Sequence, residues 1–192
     1  DHWGINPFLA AIGVIPCMAL LGWGFQRGVL EPSSRFGLLV PILATFGFAI
    51  LVNNLLFLYF GASPHSLAPY IGTLAYSSWT IGPDFYVGKL AVLIFVVAVA
   101  LFGGLSLFLA KTQLGRAIRA TSEDRATVGL VGISARKINA IAAAIALGTV
   151  GIAGMFLVMR GGVTPYSGMA VLLFAFEAAE IGGADSLWKT ML

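Results

Sequence analysis

The chain has 192 residues, of which 59% are hydrophobic and only 10% charged. Soluble domains carry about 25% charged residues, so this composition excludes a water-soluble globule and predicts an integral membrane protein. The net charge is +3, but the basic residues sit in loops beside apolar runs, which excludes a nucleic-acid-binding reading and matches the positive-inside bias of membrane proteins.

A helix crossing the hydrocarbon core needs about 20 residues. Trp3 to Gln26 has no charged side chain over 24 residues and predicts a first span, with Pro16 as a kink point and the single Cys17 as a small packing residue. Arg27 to Arg35 reads as a short polar turn. Phe36 to Phe60, uncharged over 25 residues, predicts a second span. Gly61 to Lys89 is a connector rich in Gly, Pro, Ser and Tyr, in which Tyr70, Tyr76, Trp79 and Tyr86 suit an aromatic interface belt. Leu90 to Ala110 predicts a third span of 21 residues, with Gly103 and Gly104 allowing close helix packing. Ile138 to Met159 predicts a fourth. Met169 to Gly183 is too short to cross, carries Glu177 and Glu180 on one helix face, and reads as a re-entrant or partly buried helix. No stretch alternates as a strand would. The expected fold class is all-α: a polytopic transmembrane helix bundle of about four full spans plus a short re-entrant helix, in a single membrane domain over residues 1–192.

The longest polar insert is Thr112 to Ile133. Six of the eleven Lys and Arg residues lie in it or beside it: Lys111, Arg116, Arg119, Arg125, Arg136 and Lys137. Placing it in the cytoplasm puts Arg27 and Arg35 there too, so eight of the eleven basic residues are inside. Within it, Ser122, Glu123 and Asp124 read as a helix start: an N-cap followed by acids in the first turn. Gly132 reads as the stop, and Ser134 as the cap of the fourth span. The predicted helix is thus about ten residues, Ser122 to Val131, with Val128, Leu130 and Val131 as an apolar side and Arg119 and Glu123 paired in spacing on its surface. Two readings stay open on these residues alone: a solvated loop that fixes topology, or a helix that docks into a groove of a cytosolic motor.

The run Thr112-Gln113-Leu114-Gly115-Arg116-Ala117-Ile118-Arg119-Ala120, followed by Gly129 and Gly132-Ile133, resembles the cytoplasmic loop of the branched-chain amino-acid ABC transporter permeases. Gly4-Ile5-Asn6-Pro7, Ala44-Thr45-Phe46-Gly47, Asn53-Asn54, Ala153-Gly154, Pro165, Gly168, Ala175-Phe176, Gly182-Gly183 and Ser186-Leu187-Trp188 follow the same pattern in order, so the resemblance covers nearly the whole chain. It implies a permease subunit, not an enzyme, in a bacterial inner membrane, lacking the family's first spans and its C-terminal end. It implies ATP-binding subunits as partners, a second permease subunit, a periplasmic substrate-binding protein and the lipid bilayer. ATP would be bound by the partners, since no G-x-x-x-x-G-K-[ST] loop occurs here, and no cofactor is implied for this chain. The coupling contacts would involve Arg116, Arg119, Ser122, Glu123, Asp124, Arg125, Val128 and Gly132. Thr45, Gly47, Asn53 and Asn54 are candidates for the substrate path, against the plainer reading of Asn53 and Asn54 as interhelical hydrogen-bonding groups. Glu177, Glu180, Asp185 and Lys189 depart from the family pattern. A non-transporting membrane anchor and an unrelated secondary transporter are the competing classes. His2 and His65 have no acid or thiol partner at ligand spacing, so no metal site is expected.

Overall fold

The computed structural model describes residues 7–37, 39–67, 77–80, 86–124, 128–129 and 132–182. Among the described residues, four helices are long and apolar enough to cross a membrane: Ile12–Phe36, Leu39–Phe60, Lys89–Lys111 and Ala135–Arg160. Helices are forced here, because hydrocarbon offers no partner for backbone N–H and C=O groups and a helix satisfies them internally. The protein is an all-α, multi-pass membrane bundle. It divides into two compact units, Asp1–Val52 with Leu107–Met155, and Asn53–Ser106 with Phe156–Leu192.

The first unit is built on α1, Pro7–Phe25. The helix does not stop at the charged segment. It continues through a π-helical turn, Gln26–Leu30, a single turn α2, Glu31–Ser33, and a 3₁₀ turn, Ser34–Phe36, and the chain first reverses at Gly37, whose φ of 97° suits glycine. The polar turn expected at Arg27 to Arg35 is therefore helical. Its charges are accommodated in place: the Arg27 guanidinium lies 4.8 Å over the Trp23 ring, and Glu31 pairs with Arg136 at 3.3 Å. The helix α3, Leu39–Phe60, contributes its first part to this unit, where Phe48 meets Phe25 with ring centroids 4.5 Å apart.

Helix α4, Lys89–Lys111, ends in this unit. It is followed by α5, Gln113–Glu123, and by α6, Ala135–Arg160. Small residues let α1 and α6 approach closely. A Cβ at Gly22 would sit 2.5 Å from the carbonyl oxygen of Ala143, a Cβ at Gly151 would sit 3.1 Å from Met18, and one at Gly148 would sit 3.8 Å from Ala19. Ascending α1 while descending α6, these contacts share one antiparallel register. In lipid there is no hydrophobic drive between helices, so such close backbone packing is what holds two spans together.

The second unit holds the far part of α3, which ends at Gly61 with φ of 71°. Two three-residue strands, β1 (Ser78–Thr80) and β2 (Tyr86–Gly88), pair antiparallel. This hairpin corrects the expectation of no strands: three residues are too few to show an alternating pattern. It leads directly into α4, with the Lys89 N–H donating to the Ser77 carbonyl at 3.0 Å. Residues His65 and Val163 exchange both backbone hydrogen bonds, at 3.0 and 2.9 Å, and Phe57 lies 5.9 Å from Tyr166. Helix α7, Ser167–Gly182, has 16 residues and is about 24 Å long at 1.5 Å per residue, short of the roughly 30 Å hydrocarbon core. Glu177 and Glu180 are exposed on it, and neither pairs with Arg160 among the described residues. Of the glycine pair in α4, Gly104 has nothing within 4 Å of a Cβ among the described residues. Tyr86 is exposed, whereas Tyr70, Tyr76 and the Trp79 side chain lie outside the described residues.

The four spanning helices bury few large side chains. Leu20, Leu58 and Tyr59 are 70%, 77% and 84% exposed, and α3 has no buried residue. An apolar surface of this extent is stable only when lipid or other protein covers it.

Candidate functional site

The polar insert lies wholly in the first unit. Helix α4 reaches Lys111 and α5 begins at Gln113, so a single residue, Thr112, makes the bend. Its extended backbone breaks the α4 helix, and its hydroxyl acts in both directions. The hydroxyl donates to the Phe108 carbonyl at 2.7 Å and accepts from the Gly115 N–H at 3.0 Å. Thr112 therefore fastens α5 to the last turn of α4 while capping α5. Gly115 completes the bend. A Cβ there would lie 2.6 Å from the carbonyl oxygens of both Phe108 and Leu109, a separation that real Cβ atoms do not adopt. The Arg116 guanidinium reaches back to the Lys111 carbonyl at 3.2 Å.

Helix α5 is strongly two-sided. Gly115 and Thr121 are buried, and Ala117 and Ile118 are half-buried. Gln113, Leu114, Arg116, Arg119, Ala120, Ser122 and Glu123 are exposed. An eleven-residue helix is marginal alone in water, so its persistence rests on the capped N-terminus and the buried face.

The helix expected from Ser122 to Val131 does not begin at Ser122, but the chain is helical within it at Val128 and Gly129, and the Val128 N–H donates to the Asp124 carbonyl at 3.3 Å. Ser122 lies in the last turn of α5, where its hydroxyl donates to the Arg119 carbonyl at 2.7 Å, and Asp124 has left the helix with an extended backbone. Arg125 lies outside the described residues, as do Leu130 and Val131. Val128, expected on the apolar side of the insert's helix, is only 6% exposed.

The stop at Gly132 is observed. Gly132 has φ of 79°. Its N–H donates to the Gly129 carbonyl at 3.3 Å, and the Ile133 N–H donates to Val128 at 3.4 Å. These two bonds are the pair of a Schellman motif. Three residues beyond Gly132 α6 begins at Ala135, with the Ser134 carbonyl accepting from Lys137 and Ile138 at 3.0 and 3.1 Å. Glu31 was missed by sequence reasoning. It is buried, and its Oε1 meets the Nε of Arg136 in the first turn of α6 at 3.3 Å. The signal was present as an acid within an otherwise basic and apolar segment.

The candidate path residues on α3 fall in different units, Thr45 and Gly47 in the first and Asn53 and Asn54 in the second. The Thr45 hydroxyl donates to its own helix, at the Ile42 carbonyl 2.7 Å away. Gly47 has open space around it. Asn53 is half-buried and Asn54 exposed. An open groove of about 380 Å³ in the first unit, lined by residues including Cys17, Leu21, Phe25 and Phe48, is apolar and includes neither Thr45 nor Gly47. Among the described residues, no three His, Cys, Asp or Glu side chains stand close enough to hold one metal ion.

These features define a multi-pass membrane protein with a short polar helix clamped between two of its spans. The chain belongs to the family described as the branched-chain amino acid transport system permease component, whose model matches residues 2–192. It is 31% identical over 176 residues to the high-affinity branched-chain amino acid transport system permease protein BraD of Pseudomonas aeruginosa, covering 89% of this chain and 56% of that protein. It is 26% identical over 186 residues to the corresponding permease protein LivH of Salmonella typhimurium, covering 94% of this chain and 59% of that protein. The LivH permease of Escherichia coli K12 is 25% identical over 186 residues, with the same coverage of 94% and 59%. The chain thus spans less than two thirds of the length of these relatives, which are transport permease subunits and not enzymes. No solved structure matches.

Proposed function

We propose that this chain is a membrane-path segment of an ABC importer for branched-chain or related amino acids, driven by ATP hydrolysis in separate subunits. The observation that carries this reading is the mounting of α5. Its N-terminus is locked to α4 through Thr112 and Gly115, and the insert that follows is stopped at Gly132, directly before α6. A force applied to such an insert acts on the two spans it joins, α4 and α6. The exposed face of α5 offers Arg116, Arg119 and Glu123 as charged contacts and Leu114 as an apolar one, the mixture that suits a helix lying in a protein groove.

In this mechanism the insert faces the cytoplasm of a bacterial inner membrane. ATP-binding subunits grip α5, together with the segment Ser122 to Gly132 that includes Asp124 and Arg125. Their closure rocks α4 and α6 and opens a path between the membrane faces alternately. A second permease subunit completes the path, and a periplasmic binding protein delivers the amino acid. Thr45, Gly47, Asn53 and Asn54 supply polar groups along α3 for the cargo. The chain binds no cofactor and performs no covalent chemistry.

Cysteine cross-linking tests the reading. With Cys17, the only native cysteine, replaced by Ser, Arg119→Cys is expected to cross-link to the ATP-binding subunit with a short thiol reagent. The yield should change when ATP is added. Absence of any cross-link in an assembled complex contradicts the docking role.

A further inference from the structure

Glu31 is a carboxylate with 11% side-chain exposure at the end of a membrane span. Burying such a charge costs several kcal/mol unless it is paired, and its partner Arg136 is half-exposed at 50%. The pair extends the register in which α1 and α6 pack, beyond Gly151 on Met18, Gly148 on Ala19 and Gly22 on Ala143. Yet an unbroken α-helix would not put Glu31 there. Nine residues separate it from Gly22, and at ~100° per residue it would stand on the opposite face. The π-helical turn Gln26–Leu30 lies between them. Its i→i+5 bonding winds less per residue, and so rotates Glu31 back toward α6. Such turns are rare and recur at functional sites.

We infer that Glu31 and Arg136 are a positioning pair that makes the first span move as one body with α6, so that displacement of the polar insert is passed to α1 as well. The inference rests on the importer reading above. Arg136 is the second residue of α6 and lies four residues beyond the Gly132 stop, at the end of α6 that the insert drives. Without the pair, the insert would still move α4 and α6, but α1 would follow only through its apolar seam. Hydrolysis by the partners would continue while the path opened incompletely.

The test is amino-acid uptake per ATP hydrolysed by the assembled transporter in proteoliposomes. Arg136→Gln should lower this ratio about fivefold or more, the scale of a modest coupling between sites, while hydrolysis stays within about twofold. The exchange Glu31→Arg with Arg136→Glu should recover most of the ratio. A merely structural role would lower uptake and hydrolysis together and leave their ratio unchanged, and that result overturns the inference. So does an exchange variant that assembles but recovers nothing. If Arg136→Gln fails to assemble because the buried carboxylate loses this ion pair, Glu31→Gln removes that carboxylate, leaves Arg136 solvated, and is judged by the same ratio. Wild-type uptake with an unchanged variant ratio sinks only this inference. A wild-type assembly with no ATP-driven uptake sinks the importer reading, and this inference with it.

Discussion

A Cβ on Gly115 would stand 2.6 Å from the Phe108 carbonyl oxygen, so α5 folds back from α4 only because position 115 carries no side chain. Phe108 is also the acceptor for the Thr112 hydroxyl. One carbonyl at the end of a span thus sees both the residue that caps the next helix and the residue that lets it approach.

Replacing Gly115 with Ala is expected to force the two helices apart. Inserting a methyl into a tight contact costs about 1–3 kcal/mol. The melting temperature in detergent should fall by several degrees, and retention of the ATP-binding subunit on purification should fall with it. An unchanged melting curve contradicts the close approach.

Thr112→Ala removes the capping oxygen and should cost about 1 kcal/mol, as N-cap losses do. Amide exchange at Gly115, whose N–H donates to that oxygen, should speed up about fivefold, since 1.4 kcal/mol corresponds to tenfold. Thr112→Ser keeps the hydroxyl and should leave exchange within about twofold.

At Gly132 the backbone, with φ of 79°, is left-handed. Gly132→Ala should destabilise by about 1–2 kcal/mol, and Gly132→Asn by less, because Asn tolerates this region. Thermal unfolding of the two variants side by side gives the order. Equal stability would mean that the insert does not end in the left-handed stop.

Two glycines of the first span make an internal control. Gly22 faces Ala143, with 2.5 Å available to a Cβ, whereas nothing lies within 4 Å of a Cβ at Gly24. Gly22→Ala should lower the melting temperature and Gly24→Ala should leave it unchanged. The reverse order would contradict the α1/α6 register.

Four spans could be read directly from the sequence, because hydrocarbon thickness and the absence of charge over 20 or more residues leave one solution. The Gly132 stop was legible for a similar reason: glycine after an apolar, helix-forming run has few other uses. The start of the loop helix was not. Thr112 starts α5 because Gly115 lets that helix fold back against Phe108 and Leu109, a close approach that no local pattern shows. Arg27 to Arg35 read as a turn because charge normally marks a membrane exit. Trp23 under Arg27 and Arg136 beside Glu31 keep that segment helical instead. The burial of Val128 likewise depends on tertiary packing, which a local apolar pattern does not show.

The central claim is that the insert between α4 and α6 meets the cytoplasm. In a Cys17→Ser background, Arg119→Cys should react with a membrane-impermeant maleimide in inside-out vesicles and stay unlabelled in intact spheroplasts. Labelling in intact spheroplasts would place α5 on the outer face and contradict the account.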